Sequence, residues 1–162
     1  MRKLVLFATI IIAVVMTQTA AAQSDQQNVL GAAKAIEMNT KSQQAVDQRE
    51  NALKWLIETK DVHLIVCGDV FSLYNDKKNK NSSSMTLAYT VGMGAFKIAN
   101  PDKANDENAA QLAGLMLALK AYENGVGDNP KTKHEKVEAL LQKRAAGELP
   151  ALIASFNCGG KK

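Results

Sequence analysis

The residues best able to do chemistry lie in one short string, H-E-K-V-E, which begins at His134. On a helix, His134 and Glu138 would share a face and could both reach a metal ion, as in the H-E-x-x-H zinc helix. A zinc site needs a third protein ligand, and the only other histidine is His63. Thr132 and Glu135 have the spacing of a capping box, which explains Glu135 without a metal. We therefore expect this string to begin a helix and assign it no metal-binding or catalytic role.

A second pair of possible metal ligands, His63 and Cys67, also stands four residues apart. A cysteine held in a disulfide cannot bind a metal, so we expect His63 to be a partly buried structural residue. The sequence has neither a G-x-S-x-G nor an S-x-x-K motif for nucleophilic catalysis, and it has no glycine-rich loop of the kind that cradles phosphate. These observations predict a protein that is not an enzyme and that uses no cofactor.

The chain has two cysteines, Cys67 and Cys158. In an oxidising compartment such a pair most simply forms one disulfide. The bond would close a loop of about 90 residues and stabilise the fold by about 4–5 kcal/mol in the chain-entropy model. The alternative is a pair of free thiols, because Cys67 lies in an apolar run where a thiol can belong to the core.

The N-terminus has the layout of a secretory signal peptide over residues 1–22. Arg2 and Lys3 precede an apolar run over residues 4–16, and three alanines end at Ala22, after which we predict cleavage. The run is shorter than the roughly 20 residues that a membrane-spanning helix needs. No second long apolar stretch follows it. We therefore expect a secreted or periplasmic protein without a membrane span once the leader is removed.

The charge balance argues against a nucleic-acid-binding function. Removing Arg2 and Lys3 with the leader leaves 18 basic and 16 acidic residues, a net charge of +2. Proteins that bind nucleic acid usually carry a concentrated basic face. The one basic cluster, in residues 77–80, lies within ten consecutive polar residues over 75–84. We interpret it as a solvated loop, with an anion-binding patch as the alternative.

The remaining organisation follows from the spacing of apolar residues. Residues 23–44 form a polar N-terminal segment, which we expect to be disordered over residues 23–28 and weakly helical over residues 29–38. A single helical domain is expected over residues 45–158. The tail at residues 159–162 should fray.

Within residues 45–158 the pattern predicts an all-α protein, a compact bundle of five or six short helices with one disulfide. Residues 62–74 keep helical spacing, although Gly68 and their β-branched residues would also suit a strand. Gly92 and Gly94 are expected where a neighbouring element approaches closely. The expected helices cover residues 45–57, 62–74, 85–99, a segment from Asp102 or Asn105 to Gly125, a segment from the capping box to Gly147, and a short segment from Pro150 to Cys158.

Short motifs in the C-terminal part resemble the Tai-type periplasmic immunity proteins of type VI secretion. They are L-A-Y-T-V-G from Leu87, the helix around Leu112, Asn129-Pro130 followed by His134, and F-N-C ending at Cys158. The cysteine that the family has just ahead of its Tyr-x-x-Gly helix is missing here. The resemblance implies a small helical inhibitor, dimeric, that blocks a cell-wall amidase by inserting surface residues.

Together these observations predict a secreted or periplasmic, non-catalytic helical protein that acts by binding a protein partner, with a homodimer as a further possibility. An immunity-type inhibitor of a cell-wall-degrading effector is one specific form of this function. The alternatives are a carrier of a small ligand or metal in a pocket between helices and a hydrolase without a recognisable motif.

Overall fold

Residues 23–156 and 158 are described by a computed structural model, and every regular element among them is helical. The predicted all-α fold is confirmed: this range contains seven α-helices, and the six that follow residue 42 match the five or six expected there. The predicted leader over residues 1–22 and the tail over residues 159–162 lie outside the described residues. The helices are α1 over residues 23–37, α2 Gln43–Glu58, α3 Gly68–Ser72, α4 Ser82–Ala99, α5 Glu107–Asp128, α6 Glu135–Ala145 and α7 Leu149–Ser155.

The centre of the fold is the hairpin of α4 and α5, whose backbones pack directly against each other. A Cβ atom added at Gly92 would lie 3.0 Å from the carbonyl oxygen of Ala113. One added at Gly114 would lie 2.7 Å from the carbonyl oxygen of Tyr89. The expectation that Gly92 allows a neighbouring element to approach is therefore confirmed.

We expect Gly114→Ala to lower the free energy of unfolding by about 1–3 kcal/mol, because the new methyl group would push against backbone of α4. Gly127→Ala is the matched control on the same helix, since a Cβ there meets nothing within 4 Å. That control should be neutral or stabilising by up to about 1 kcal/mol. Urea denaturation measures both, and equal stabilities of the two variants would contradict this account of the hairpin.

Two apolar clusters lie on either side of this hairpin. The first joins α3, α6 and α7 to α4 and α5 and contains all three tyrosines, Tyr74, Tyr89 and Tyr122. The second lies under α1 and α2. Residues 23–28, expected to be disordered, are helical and form the first part of α1. This helix buries Val29 and Ile36 in the second cluster.

The helix expected over residues 62–74 is the main error of the sequence-based prediction. Only Gly68–Ser72 is helical, and residues 63–67 have no regular structure. The β-branched residues in this stretch lower its helix propensity. In addition, the side-chain amide of Gln111 donates a hydrogen bond to the carbonyl oxygen of Ile65, which a helix would need for its own ladder.

Several helix ends also differ from expectation. Helix α4 begins at Ser82, so Ser84 lies inside it. Helix α5 is capped by the Asp106 carboxylate, which accepts from the backbone N–H of Ala109 at 3.0 Å, and it runs past Gly125 to Asp128. The capping box predicted at Thr132 is wrong, because Thr132 ends a 3₁₀ turn and His134 occupies the N-cap position of α6.

The C-terminal end follows the prediction more closely. Gly147 has a φ of +72° just after α6, the left-handed conformation that glycine adopts readily at a helix end. Pro150 lies in the first turn of α7. The predicted disulfide is present: Cys67, just before α3, is bonded to Cys158, and their Cα atoms are 5.3 Å apart. The free-thiol alternative is thereby excluded.

Within residues 23–156, none of the helices combines the length and the apolar character needed to cross a lipid bilayer.

Candidate functional site

The string that begins at His134 is used to attach α6 to α5. The Tyr122 hydroxyl donates to the Glu138 carboxylate at 2.6 Å and accepts from the backbone N–H of His134 at 2.8 Å. Burial and the neighbouring Glu138 carboxylate raise the pKa of Tyr122 to about 12. Tyr122 is therefore a neutral hydrogen-bonding group at neutral pH, and Glu138 already has a partner.

The imidazole of His134 faces the loop that precedes α4. Its Nε2 lies 4.0 Å from the Asp76 carboxylate, and its buried Nδ1 has no hydrogen-bond partner among the described residues. Asp76 accepts from the backbone N–H of Lys78 and from Lys136 Nζ, and these contacts hold the pKa of its carboxyl below the usual range. The group ties the loop to α6.

Among the residues that the structure describes, neither candidate metal pair gains a further ligand. In residues 23–156 and 158, no three His, Cys, Asp or Glu side chains are grouped so that they could hold a metal ion. Cys67 is occupied by the disulfide. His63 is exposed, so the expectation that it is partly buried was wrong.

A buried polar network between α4 and α5 has no counterpart in the sequence-based prediction. The Tyr89 hydroxyl donates to the side-chain carbonyl of Gln111, which is fully buried. Nearer the end of the hairpin where α4 ends and α5 begins, Lys97 Nζ lies 2.6 Å from Glu107 Oε1, and both side chains are largely buried. Burial raises the pKa of Tyr89 to about 12. A lone glutamine inside the apolar run of α5 was the available signal, since a buried amide needs partners.

One cavity opens where the α1–α2 turn meets the hairpin; we call it the hairpin cleft. Its volume is about 430 Å³, within the usual range for a small-molecule site. The N-terminal half of α4 and the C-terminal half of α5 form part of its wall. The lining residues are Ile36, Asn39, Lys41, Val46, Arg49, Glu50, Ser84, Leu87, Ala121, Asn124, Gly125 and Asp128.

The wall of the hairpin cleft formed by the α1–α2 turn is held by several specific contacts. Asn39 has a φ of +52° and ends α1, with the backbone N–H of Thr40 bonded to the carbonyl of Ala35. The Asn124 side-chain amide donates to the carbonyl of Ile36 at 2.7 Å. Arg49 Nη1 donates to the carbonyl of Thr40 at 3.1 Å. These bonds fix the turn against α2 and α5.

A second cavity lies on the other side of α1; we call it the Met116 groove. Its volume is about 470 Å³, and its walls are formed by the C-terminal half of α4, the middle of α5 and parts of α1 and α6. Met116 is 42 % exposed here. The lining residues are Ala33, Glu37, Gly92, Ala95, Phe96, Ala113, Met116, Leu117, Lys120 and Arg144.

Charged residues border the Met116 groove. Arg144 binds Glu123 through both guanidinium nitrogens, at 2.5 and 3.1 Å, which lowers the pKa of the Glu123 carboxyl. Lys120 of α5 and Glu37 of α1 both line the groove, and neither lies within 4.0 Å of an oppositely charged group in the described part of the chain. The groove therefore combines an apolar floor with one unpaired charge of each sign.

No protein family, curated protein or solved structure matches this chain in the comparisons with known proteins. Function is therefore inferred from the geometry of the described residues.

Proposed function

We propose that this chain is an exported, non-catalytic binding protein that holds a protein partner at the Met116 groove. The observation that supports this most is the partial exposure of Met116 among small and aromatic side chains of the groove. Methionine adapts its shape to a partner at low cost and is common on binding surfaces.

The groove also indicates the chemistry of the partner. A projecting apolar side chain would fill the floor formed by Ala95, Phe96 and Ala113. Beside it, an acidic residue would face Lys120 and a basic residue would face Glu37. Such a pairing gives orientation and faster association, while the apolar contact supplies most of the affinity.

The environment of His134 supports the non-catalytic part of the proposal. A general base needs a reacting group within hydrogen-bond reach. The polar contacts near His134 each connect two parts of this chain. Tyr122 of α5 is bonded to Glu138 and to the backbone of His134, and Asp76 of the loop faces His134 and Lys136. His134 lines neither the hairpin cleft nor the Met116 groove. These residues are better explained as a structural tie than as a catalytic set.

The resemblance to immunity proteins suggests which partner to try first, a cell-wall-degrading enzyme. If the proposal takes this form, the purified chain would inhibit peptidoglycan cleavage by such an enzyme at stoichiometric concentration. Sedimentation of the purified chain alone would test the homodimer.

The direct test compares Met116→Glu with Ile57→Glu. Ile57 is 71 % exposed at the end of α2 and lies outside the groove, so it is the matched control. Tagged proteins would capture partners from the export compartment, and the affinity of the captured protein would then be measured. A buried charge at a central contact should weaken binding by about 30-fold or more. The proposal fails if Met116→Glu, shown to be folded by circular dichroism, binds as well as Ile57→Glu does.

A further inference from the structure

Two opposite charges without ion-pair partners share the hairpin cleft. Arg49 and Glu50 both line it, and neither lies within 4.0 Å of an oppositely charged group in residues 23–156 and 158. The other two charges of the cleft, Lys41 and Asp128, are bonded to each other. The cleft thus holds one cation and one anion with no salt bridge of their own.

The Arg49 guanidinium is half-buried and uses one donor for the carbonyl of Thr40. An arginine has five N–H donors, so most of them are left for a ligand. A carboxylate is the group that guanidinium binds best, through two parallel hydrogen bonds. Glu50 supplies the acceptor for an ammonium group in the same cleft.

The rest of the lining is largely apolar, with Ile36, Val46, Leu87 and Ala121 contributed by four helices. The side-chain amide nitrogen of Asn124 donates to the carbonyl of Ile36, and its side-chain oxygen remains available as an acceptor. A ligand that matches this surface has an apolar body beside its charged groups.

We propose that the hairpin cleft binds a small zwitterion with an apolar side chain, that is, a free amino acid of the leucine or phenylalanine type. The carboxylate lies on Arg49, the ammonium on Glu50, and the side chain on the apolar wall. This site is separate from the Met116 groove and does not depend on the proposed protein partner.

The test uses isothermal titration with three probes: L-phenylalanine, N-acetyl-L-phenylalanine, which lacks the ammonium, and L-phenylalaninamide, which lacks the carboxylate. L-phenylalanine should bind, and each analogue should bind roughly tenfold more weakly, because each loses one charge-assisted hydrogen bond to the cleft. Equal binding of all three probes, or no binding of L-phenylalanine at millimolar concentration, would overturn the proposal.

Two variants give a crossed readout. Arg49→Gln should weaken the binding of L-phenylalanine and of N-acetyl-L-phenylalanine but leave the affinity for L-phenylalaninamide unchanged. Glu50→Gln should weaken the binding of L-phenylalanine and of L-phenylalaninamide but leave the affinity for N-acetyl-L-phenylalanine unchanged. Because Glu50 is exposed, its variant tests the site even if Arg49→Gln does not fold.

The control variant is Glu58→Gln, an exposed change on the same helix outside the cleft. It should leave all three affinities unchanged. Met116→Glu should also leave them unchanged, so that failure of this proposal and failure of the proposed protein-binding function are distinguished. Binding that responds equally to Glu58→Gln and Glu50→Gln would contradict the assignment of the ammonium site.

Discussion

Replacing both Cys67 and Cys158 by alanine is expected to lower the free energy of unfolding by about 4–5 kcal/mol, an effect comparable to the whole stability of a small domain. The bond closes a loop whose ends are 91 residues apart, so its loss releases much chain entropy in the unfolded state. It also holds α7 in place, since Cys158 lies just beyond this helix and Leu149 and Ile153 of α7 belong to the core.

Urea denaturation of the variant and of the wild type, each with and without a reducing agent, measures this effect. Reduction should bring the wild type to the stability of the variant and leave the variant unchanged. Hydrogen exchange should show α7 losing protection first. A loss below about 1 kcal/mol would contradict the account, since the chain-entropy model places even a 15-residue loop near 3 kcal/mol.

The second large effect is expected at the buried ion pair between α4 and α5. Lys97→Met should cost about 3–5 kcal/mol, because it leaves Glu107 as a buried charge without its partner. The side chains of Lys97 and Glu107 are 5 % and 13 % exposed. The second oxygen of Glu107, Oε2, has no hydrogen-bond partner among the described residues, so Lys97 is its main compensation.

The double variant Lys97→Met/Glu107→Gln should recover more than half of that loss, because it removes the unpaired charge. Lys143→Met is the matched control, since Lys143 pairs with Glu148 on the surface and exposed pairs contribute little. Thermal denaturation of the wild type and the three variants would compare their melting temperatures. If Lys97→Met and Lys143→Met melt alike, the buried pair does not stabilise the hairpin as described.

The features predicted correctly from sequence have strong local causes. The all-α fold follows from apolar residues repeated at three-to-four spacing, and the end of α6 follows from Gly147. The disulfide follows from having only two cysteines. Each of these signals lies within a few residues or in a simple count, so no tertiary information was needed.

The errors have tertiary causes. Residues 62–74 have helical spacing, but Gln111, distant in sequence, holds the carbonyl of Ile65. Helix α1 has a modest apolar face, with small side chains such as Ala32, yet packing against α2, α4 and α5 buries Val29, Ala32 and Ile36. Thr132 has the spacing of a cap, but the backbone N–H at the start of α6 is bonded to Tyr122 instead.

The candidate sites were less predictable than the fold. The exposure of Met116 could not be predicted, because helical periodicity does not reveal which part of a long helix its neighbours leave uncovered. Nothing in the sequence indicates that Arg49 and Glu50 share a cavity. Their presence in one cavity follows from the α1–α2 turn, which brings Asn39 and Lys41 over the same end of the hairpin.

Hydrogen–deuterium exchange on the complex with the captured partner tests the proposed function most directly. We expect binding to slow exchange in residues 92–96 and 113–120, which contain the α4 and α5 walls of the Met116 groove, while residues 57–66 exchange as in the unbound chain. Unchanged exchange in both groove segments, with protection elsewhere on the surface, would contradict it.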